Sequence, residues 1–570
     1  MTSSFSLPAN VVDILGRTIR PATVHIAAGR IESIAYTGAT APDPALSYAL
    51  PGFVDAHVHI ESSLLVPTEF ARLAVTHGTV ATVSDPHEIG NVLGVAGVEY
   101  MLANARLSPF KFCFGAPSCV PATGFETAGA EITAADIARL FENPEIGYLA
   151  EMMNWPGVLS RDAVVMEKIG LALQAGRPVD GHAPGLRGPD AAQYASAGIS
   201  TDHECFSADE ARDKLAAGMK ILIREGSAAR NFDALIELLP EHYENLMFCS
   251  DDKHPDTLLL GHINELVRRA LALGHDIFQV LQVACLNPVA HYKLPVGQLR
   301  NGDAADFILV DNLTDLTIRQ TYLDGQLVAE TGQSLLPAAS IEVVNNFQAQ
   351  PVKATDFRLP YTKAETELEA EAAGLLAADL SPATAIVKVI ECFDGQLITA
   401  RLDVAMQVKN GLVLPDLPAD IFKLVVVNRY TLQVPPAVAF IRGFGLKYGA
   451  LASSVGHDSH NITAVGCDDE SLTRAVNLVI GARGGLAAVG TDGRELLLPL
   501  PVAGLMSDQP GADVATAYTA VDKLAKELGS TLEAPFMTLS FMALLVIPSL
   551  KLSDLGLFDG EAFRFVAVAE

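Results

Sequence analysis

The stretch GFVDAHVH, residues 52–59, begins apolar and ends on Asp55, His57 and His59. Read as a strand, it puts residues two apart on one side, so both imidazoles and Asp55 converge inward. Seven further strand-like runs follow: Thr79–Asp85, Lys111–Gly115, Ile146–Glu151, Pro178–His182, Gly198–His203, Lys220–Arg224 and Leu246–Ser250. Enough chain for a helix separates each run from the next. Eight such βα units over ~240 residues predict an α/β fold built on a closed (β/α)8 barrel of the TIM type.

In such a barrel the chemistry sits at the C-terminal strand ends. Strand one ends in His57 and His59, strand four in Glu151, strand five in His182, strand six in His203, and strand eight in Asp251 and Asp252. A lone histidine at a strand end is ordinarily a hydrogen-bonded structural group. Four histidines with carboxylates at one rim are hard to obtain without a purpose, and imidazole with carboxylate suits zinc, iron or manganese.

Residues ~10–50 (VVDILG, TVHIAAGRIESIAY) read as short strands with turns, and a related pattern returns at ~297–335. These flanks, 1–50 and 295–345, are expected to pair into a small discontinuous β-sandwich around the barrel at 51–294. An acidic helical linker, KAETELEAEAAGLLAADL, is expected near the start of a separate α+β domain at 350–570.

Half of the 570 residues are apolar and 19% are charged, which predicts large buried cores rather than disorder. Lys and Arg number 39 against 67 Asp and Glu, a net charge of −28. That surface repels nucleic acid and anionic membrane, and favours a small neutral substrate or a divalent cation. Seven cysteines without a CxxC pair read as free thiols in a reducing cytosol. The N-terminus has no signal-peptide pattern. Uncharged Ala534–Leu550 is shorter than the ~20 residues of a span and carries Pro535 and Pro548 near its ends, so it reads as buried core.

PGFVDAHVHIESS resembles the HxH strand of the amidohydrolase superfamily. SDPHEIGNVLG, PSCVPATGFETAG, AEMMNWPGV, DGHAPGL, STDHECF, CSDDKHP, ALASSVGHDSHN, PVAGLMSD and APFMTLSFMALLVIPSLKLSDLGLFD narrow the resemblance to the adenine deaminase family, in order, from about residue 50 to the end. The resemblance implies a binuclear centre of two divalent ions per subunit, commonly Mn²⁺ or Fe²⁺ with Zn²⁺ less favoured. It also implies conversion of adenine to hypoxanthine and ammonia. His57, His59 and Asp251 would hold one ion, His182 and His203 the other, with Glu151 bridging. Asp251 is preferred over Asp252 because the superfamily's strand-eight aspartate directly follows a Ser or Thr, here Ser250.

Such ions would activate a water for attack at C6 of the purine, Asp251 relaying its proton to the departing amino group. Glu61, His87 and Glu204, all beside strand ends, are candidates to protonate N1. His87 and Glu88 also fit a plain Asx turn at Asp85-Pro86. Ser118, Cys119 and Thr123 are candidate pocket-wall residues. Asp252 is a further candidate substrate contact. Arg224 and Glu225 read equally as a purine contact or a surface ion pair. His457, Asp458, His460 and Asn461 are either substrate contacts on a domain that closes the pocket or a structural turn.

Deamination of an N6-substituted adenine such as 6-methyladenine is the nearest alternative. Cyclic-amide hydrolysis is the next, although that class usually carries a lysine where Glu151 stands. A non-catalytic metal-binding scaffold is the alternative outside the enzymes. No PCxxC motif is present, which excludes the zinc deaminases of nucleic acids. The expected setting is a cytoplasmic homodimer or higher homo-oligomer in purine salvage, with no nucleic-acid or membrane partner.

Overall fold

The computed structural model describes residues 4–361 and 384–569; the expected acidic linker helix lies outside them. The chain divides into two compact units. The first comprises Met1–Val120, Ala130–Glu342 and Met506–Thr516, the second Pro121–Gly129, Val343–Leu505 and Ala517–Glu570.

The first unit holds the barrel. Five parallel strands, Phe53–Val58, Thr79–Ser84, Lys111–Ala116, Ile146–Met152 and Val179–Gly181, pair in that order, and Thr201–Asp202, Lys220–Arg224 and Leu246–Cys249 form a second parallel set. Two seams close the ring. Ser200 N–H donates to the Val179 carbonyl at 2.9 Å, joining strands five and six. Asp251 N–H donates to the His57 carbonyl at 3.0 Å and its own carbonyl accepts the His59 N–H at 3.2 Å, joining strands eight and one.

All eight expected strands are present, but five and six are shorter than their apolar runs. Side chains take the backbone donors that a longer ladder would use. Asp202 accepts the N–H groups of Ala183 and Glu204 at 3.0 and 2.7 Å. Gly181 matters at the same place, because a Cβ there would collide with the Thr201 carbonyl.

The flanking β region is one hydrogen-bonded sheet of eight strands. Tyr48–Pro51 pairs with Phe5–Asp13 on one side and Phe307–Val310 on the other, so both flanks of the barrel meet in it. Val11, Val24, Ile26, Phe307 and Tyr322 form its buried cluster, and the Phe5 ring stacks on Tyr322 with centroids 5.8 Å apart. The second unit is α+β. Its nine-stranded sheet is covered by helix Asp469–Ala482, which buries Leu472, Ala475, Val476 and Val479 against Val425, Ile462 and Val489. No helix among the described residues is long and apolar enough to cross a membrane, and the Ala534–Leu550 stretch starts with a seven-residue helix, Pro535–Phe541. All seven cysteines are free.

Gly181→Val should force strands five and six apart. Overpacking of this kind costs ~1–3 kcal/mol, and the expected result is a lowered denaturation midpoint by circular dichroism. An unchanged midpoint would show that the close approach at Thr201 is not required.

Candidate metal centre and active site

Strand one delivers its histidines through an irregularity. Its register against strand two shifts between Asp55 and Val58. Asp55, expected to converge with His57 and His59, has its carboxylate engaged by other partners. It accepts the Ser250 N–H at 2.9 Å, the Ser250 hydroxyl at 2.5 Å and His262 Nε2 at 2.8 Å, while His262 Nδ1 lies 2.7 Å from the Thr79 hydroxyl. All four side chains are buried. This brace ties strand one to the residue just before Asp251, and a reading of strand periodicity alone misses it.

The ring nitrogens and carboxylates meet at the rim. His57 Nε2 and His59 Nε2 approach to 3.2 Å, and Asp251 Oδ1 stands 3.5 and 3.4 Å from them. Glu151 Oε2 lies 2.8 Å from His182 Nδ1 and 3.1 Å from His203 Nε2. Its other oxygen faces His59 Nε2 at 3.6 Å and His87 Nδ1 at 3.5 Å. A carboxylate divided in this way can bridge two cations. Asp251 is the strand-eight aspartate beside the histidines. Asp252 accepts the Ser62 hydroxyl at 2.5 Å.

These residues fit a pair of divalent ions on three grounds. Donors on one coordination shell of radius ~2.1 Å stand roughly 3.0–3.5 Å apart, the spacing seen here. His59 Nδ1 lies 3.2 Å from the Asp85 carbonyl; donating there leaves Nε2 with its lone pair turned to the site. Three overlapping donor groups, His57/His59/Asp251, His57/Glu151/His203 and His182/His203/Glu204, each bring their ligand atoms within 4.8 Å.

The electrostatics agree. Burial alone would raise the Glu151 pKa, yet His182 and His203 hold it well below the carboxylate range. Burial also opposes ionisation of Asp251, but Arg224, His57 and His59 bring it well below its usual value. Conversely, burial disfavours charged His182, but Glu151 and Glu204 raise it to about 9.

Arg224 is fully enclosed, which overturns the surface-pair reading. It donates to Glu204 Oε2 at 2.9 Å and Asp251 Oδ2 at 2.7 Å, and its Nη1 also pairs with Glu204 Oε1. Glu225 is paired with Arg230 and Arg269 instead. Glu61 lies in a short 3-10 turn after strand one and accepts the Ile89 N–H at 3.2 Å. Burial, reinforced by Glu88, pushes its carboxyl up to about 7. His87 begins a helix; Asp85 accepts its N–H at 3.0 Å in an Asx turn, and its ring faces Glu151 at 3.5 Å. The Ser118 hydroxyl donates to the Glu151 carbonyl at 2.5 Å, and Cys119 Sγ lies 3.9 Å from the Met152 sulfur, so both touch the end of strand four.

Thr123, His457, Asp458, His460 and Asn461 belong to the second unit. There Asn461 donates to the Thr127 carbonyl at 2.9 Å, the His457 N–H to Ser540, and the His457 ring packs 5.4 Å from Phe541. Both histidines are buried.

Residues 48–328 match the amidohydrolase family, and residues 396–564 match the adenine deaminase C-terminal domain family. With the barrel and its histidine-carboxylate rim, this defines a hydrolase of the amidohydrolase class. A protein of Salinibacter ruber named adenine deaminase is 55% identical over 567 residues, covering 99% of each chain. One of Sulfurovum, with the same name, is 51% identical over 98% of this chain and 99% of its own. One of Parabacteroides distasonis, again so named, is 47% identical over 98% of each. The chain belongs to the adenine deaminase family.

Because protons compete for His182, affinity for Mn²⁺ should rise with pH up to about 9 rather than level off above the ordinary imidazole value of ~6.5. Titrating chelator-stripped protein with Mn²⁺ in weak buffer should release protons at pH 7–8. Equal affinity at pH 6 and 8 with no proton release would contradict this assignment.

Proposed function

We propose that this chain hydrolyses adenine to hypoxanthine and ammonia, with His57, His59 and Asp251 holding one divalent ion, His182 and His203 a second, and Glu151 between them. The observation that carries the reading is the convergence of these six side chains at one barrel rim, in a chain similar over its whole length to proteins named adenine deaminase. When bound, the ions supply the Lewis acidity that makes water a nucleophile at neutral pH.

The protein's own residues do the rest. Asp251, kept as a carboxylate and aimed by Arg224, accepts the proton of the attacking water and passes it to the amino group leaving C6. Glu61, with its carboxyl near 7, donates a proton to N1 as the ring loses aromaticity. Glu204 is poorly suited to that task, because both of its oxygens accept from Arg224. His87 faces Glu151 and Asp85, and its role is to orient them. Ser118 and Cys119 line the strand-four side, and Asp252 anchors the loop after strand one through Ser62.

The mixed imidazole and carboxylate donors suit Mn²⁺ or Fe²⁺, with Zn²⁺ a weaker fit. The free cysteines favour the cytoplasm, where adenine would be drawn from purine salvage. A homodimer or higher oligomer is the expected assembly.

A panel of adenine, N6-methyladenine and dihydroorotate, assayed for ammonia, amine or ring opening with metal content measured on the same sample, tests the reading. Adenine should have the highest kcat/KM; faster release of methylamine from N6-methyladenine would reassign the substrate. Asp251→Asn should lower kcat by at least ~10²-fold with KM little changed, the loss expected of a positioned acid–base group. Asp252→Asn should cost less. The reverse order would exchange the two aspartates.

A further inference from the structure

We propose that Lys214 is a positioning residue for the metal centre: its ammonium locks the backbone just after His182 and on both sides of His203 into one network, and so holds the ion that these histidines bind. The inference rests on the metal-centre reading above.

Lys214 lies on helix Ala208–Ala216, whose N-terminus is capped by the Ser207 hydroxyl accepting the Glu210 N–H. In sequence, Glu210 and Lys214 are an ordinary i,i+4 pair of an exposed helix face. In the structure the Lys214 side chain is fully buried. It donates to the Ala183 carbonyl at 2.7 Å and to Glu210 Oε1 at 2.8 Å, and it forms an ion pair with Asp202 Oδ2 at 3.1 Å.

Both carboxylates then reach backbone beside the histidines. Asp202 accepts the N–H of Ala183 at 3.0 Å and of Glu204 at 2.7 Å. Glu210 accepts the N–H of Gly185 at 2.8 Å and of Phe206 at 3.0 Å. Alternate residues of the two turns that follow strands five and six are therefore fixed by side chains. The ladder ends at Gly181 and Asp202, so it does not fix those turns.

Two buried carboxylates would repel each other without a counter-charge, and removing one partner of such a group is costly. A compact ammonium can meet a carbonyl and two carboxylates around one point, where a planar guanidinium would not. None of the three side chains is among the ion's proposed ligands. Their effect is exerted through the orientation of His182 and His203, as outer partners of metal ligands commonly act.

The test uses full-length protein, stripped by chelator and reloaded with Mn²⁺, in four forms: wild type, Lys214→Met, Asp202→Asn and Ile169→Ala. Ile169 is a buried core residue on the helix after strand four and controls for simple loss of stability. Mn per folded chain is measured by elemental analysis against graded chelator, with melting followed on the same samples. Wild type and Ile169→Ala should hold two ions, the latter melting lower. Lys214→Met should keep one ion and bind the other at least ~10-fold more weakly, the lower bound for loss of an outer partner. Asp202→Asn, which keeps the Lys214–Glu210 pair, should do the same and serves if Lys214→Met does not fold.

Two ions at wild-type affinity in both variants would overturn the proposal. So would a parallel loss of both ions that follows the melting temperature. Fewer than two ions in the wild type would overturn the metal-centre reading, and the inference with it.

Discussion

One of the barrel's two seams closes, and the site forms, at the same residue. Asp251 adopts the left-handed backbone region, φ 56°, directly after strand eight. Aspartate tolerates that conformation better than most residues, though at a cost. In return its N–H and carbonyl both bond to strand one, at His57 and His59, and its carboxylate is turned toward their imidazoles. The seam between strands eight and one and the residues proposed to hold the first ion thus share one set of contacts. Asp55 supports them from behind by holding Ser250 and His262.

Charge is the second constraint. Asp85, Glu88, Glu151, Glu204, Asp251 and Asp252 are all buried near the rim. Of these, Glu204 and Asp251 share the guanidinium of Arg224. A buried anionic cluster of this size is stable only with cations or protons added, because isolated buried charges are strongly disfavoured. The carboxylates raise the pKa values of His182 and His203, and Arg224, His57 and His59 lower that of Asp251, so opposite charges at the rim sustain one another. Divalent ions satisfy the same demand at neutral pH and add the chemistry that the reaction needs. The surroundings also set Asp251 and Glu61 apart: one is kept ionised by its cationic neighbours, the other held near neutrality by burial.

Much of this was legible in the sequence because barrels obey simple periodicities. Two-residue alternation exposed the His57/His59 pair, and strand-end placement exposed Glu151, His182, His203 and Asp251. What stayed hidden depends on tertiary context. The carboxylate of Asp55, expected to join the histidines, is held by Ser250 and His262. For Arg224 a purine contact and a surface ion pair stood equally open, because sequence does not reveal what covers a strand end. Lys214 sits in ADEARDKLA, a helix whose pattern reads as solvent-facing, although that side chain is fully enclosed. His262 lies between two helices with no motif to announce it. The segments Pro121–Gly129 and Met506–Thr516 each belong to the unit other than the one their neighbours in sequence suggest.

The central claim is that one glutamate separates two ions at the rim. Anomalous diffraction at the manganese edge, from crystals of Mn²⁺-loaded protein, tests it directly. Two peaks ~3.5–4 Å apart are predicted, one among His57, His59 and Asp251, the other beside His182 and His203, with Glu151 between them. A single peak at full loading, or two peaks neither of which touches Glu151, would contradict the account.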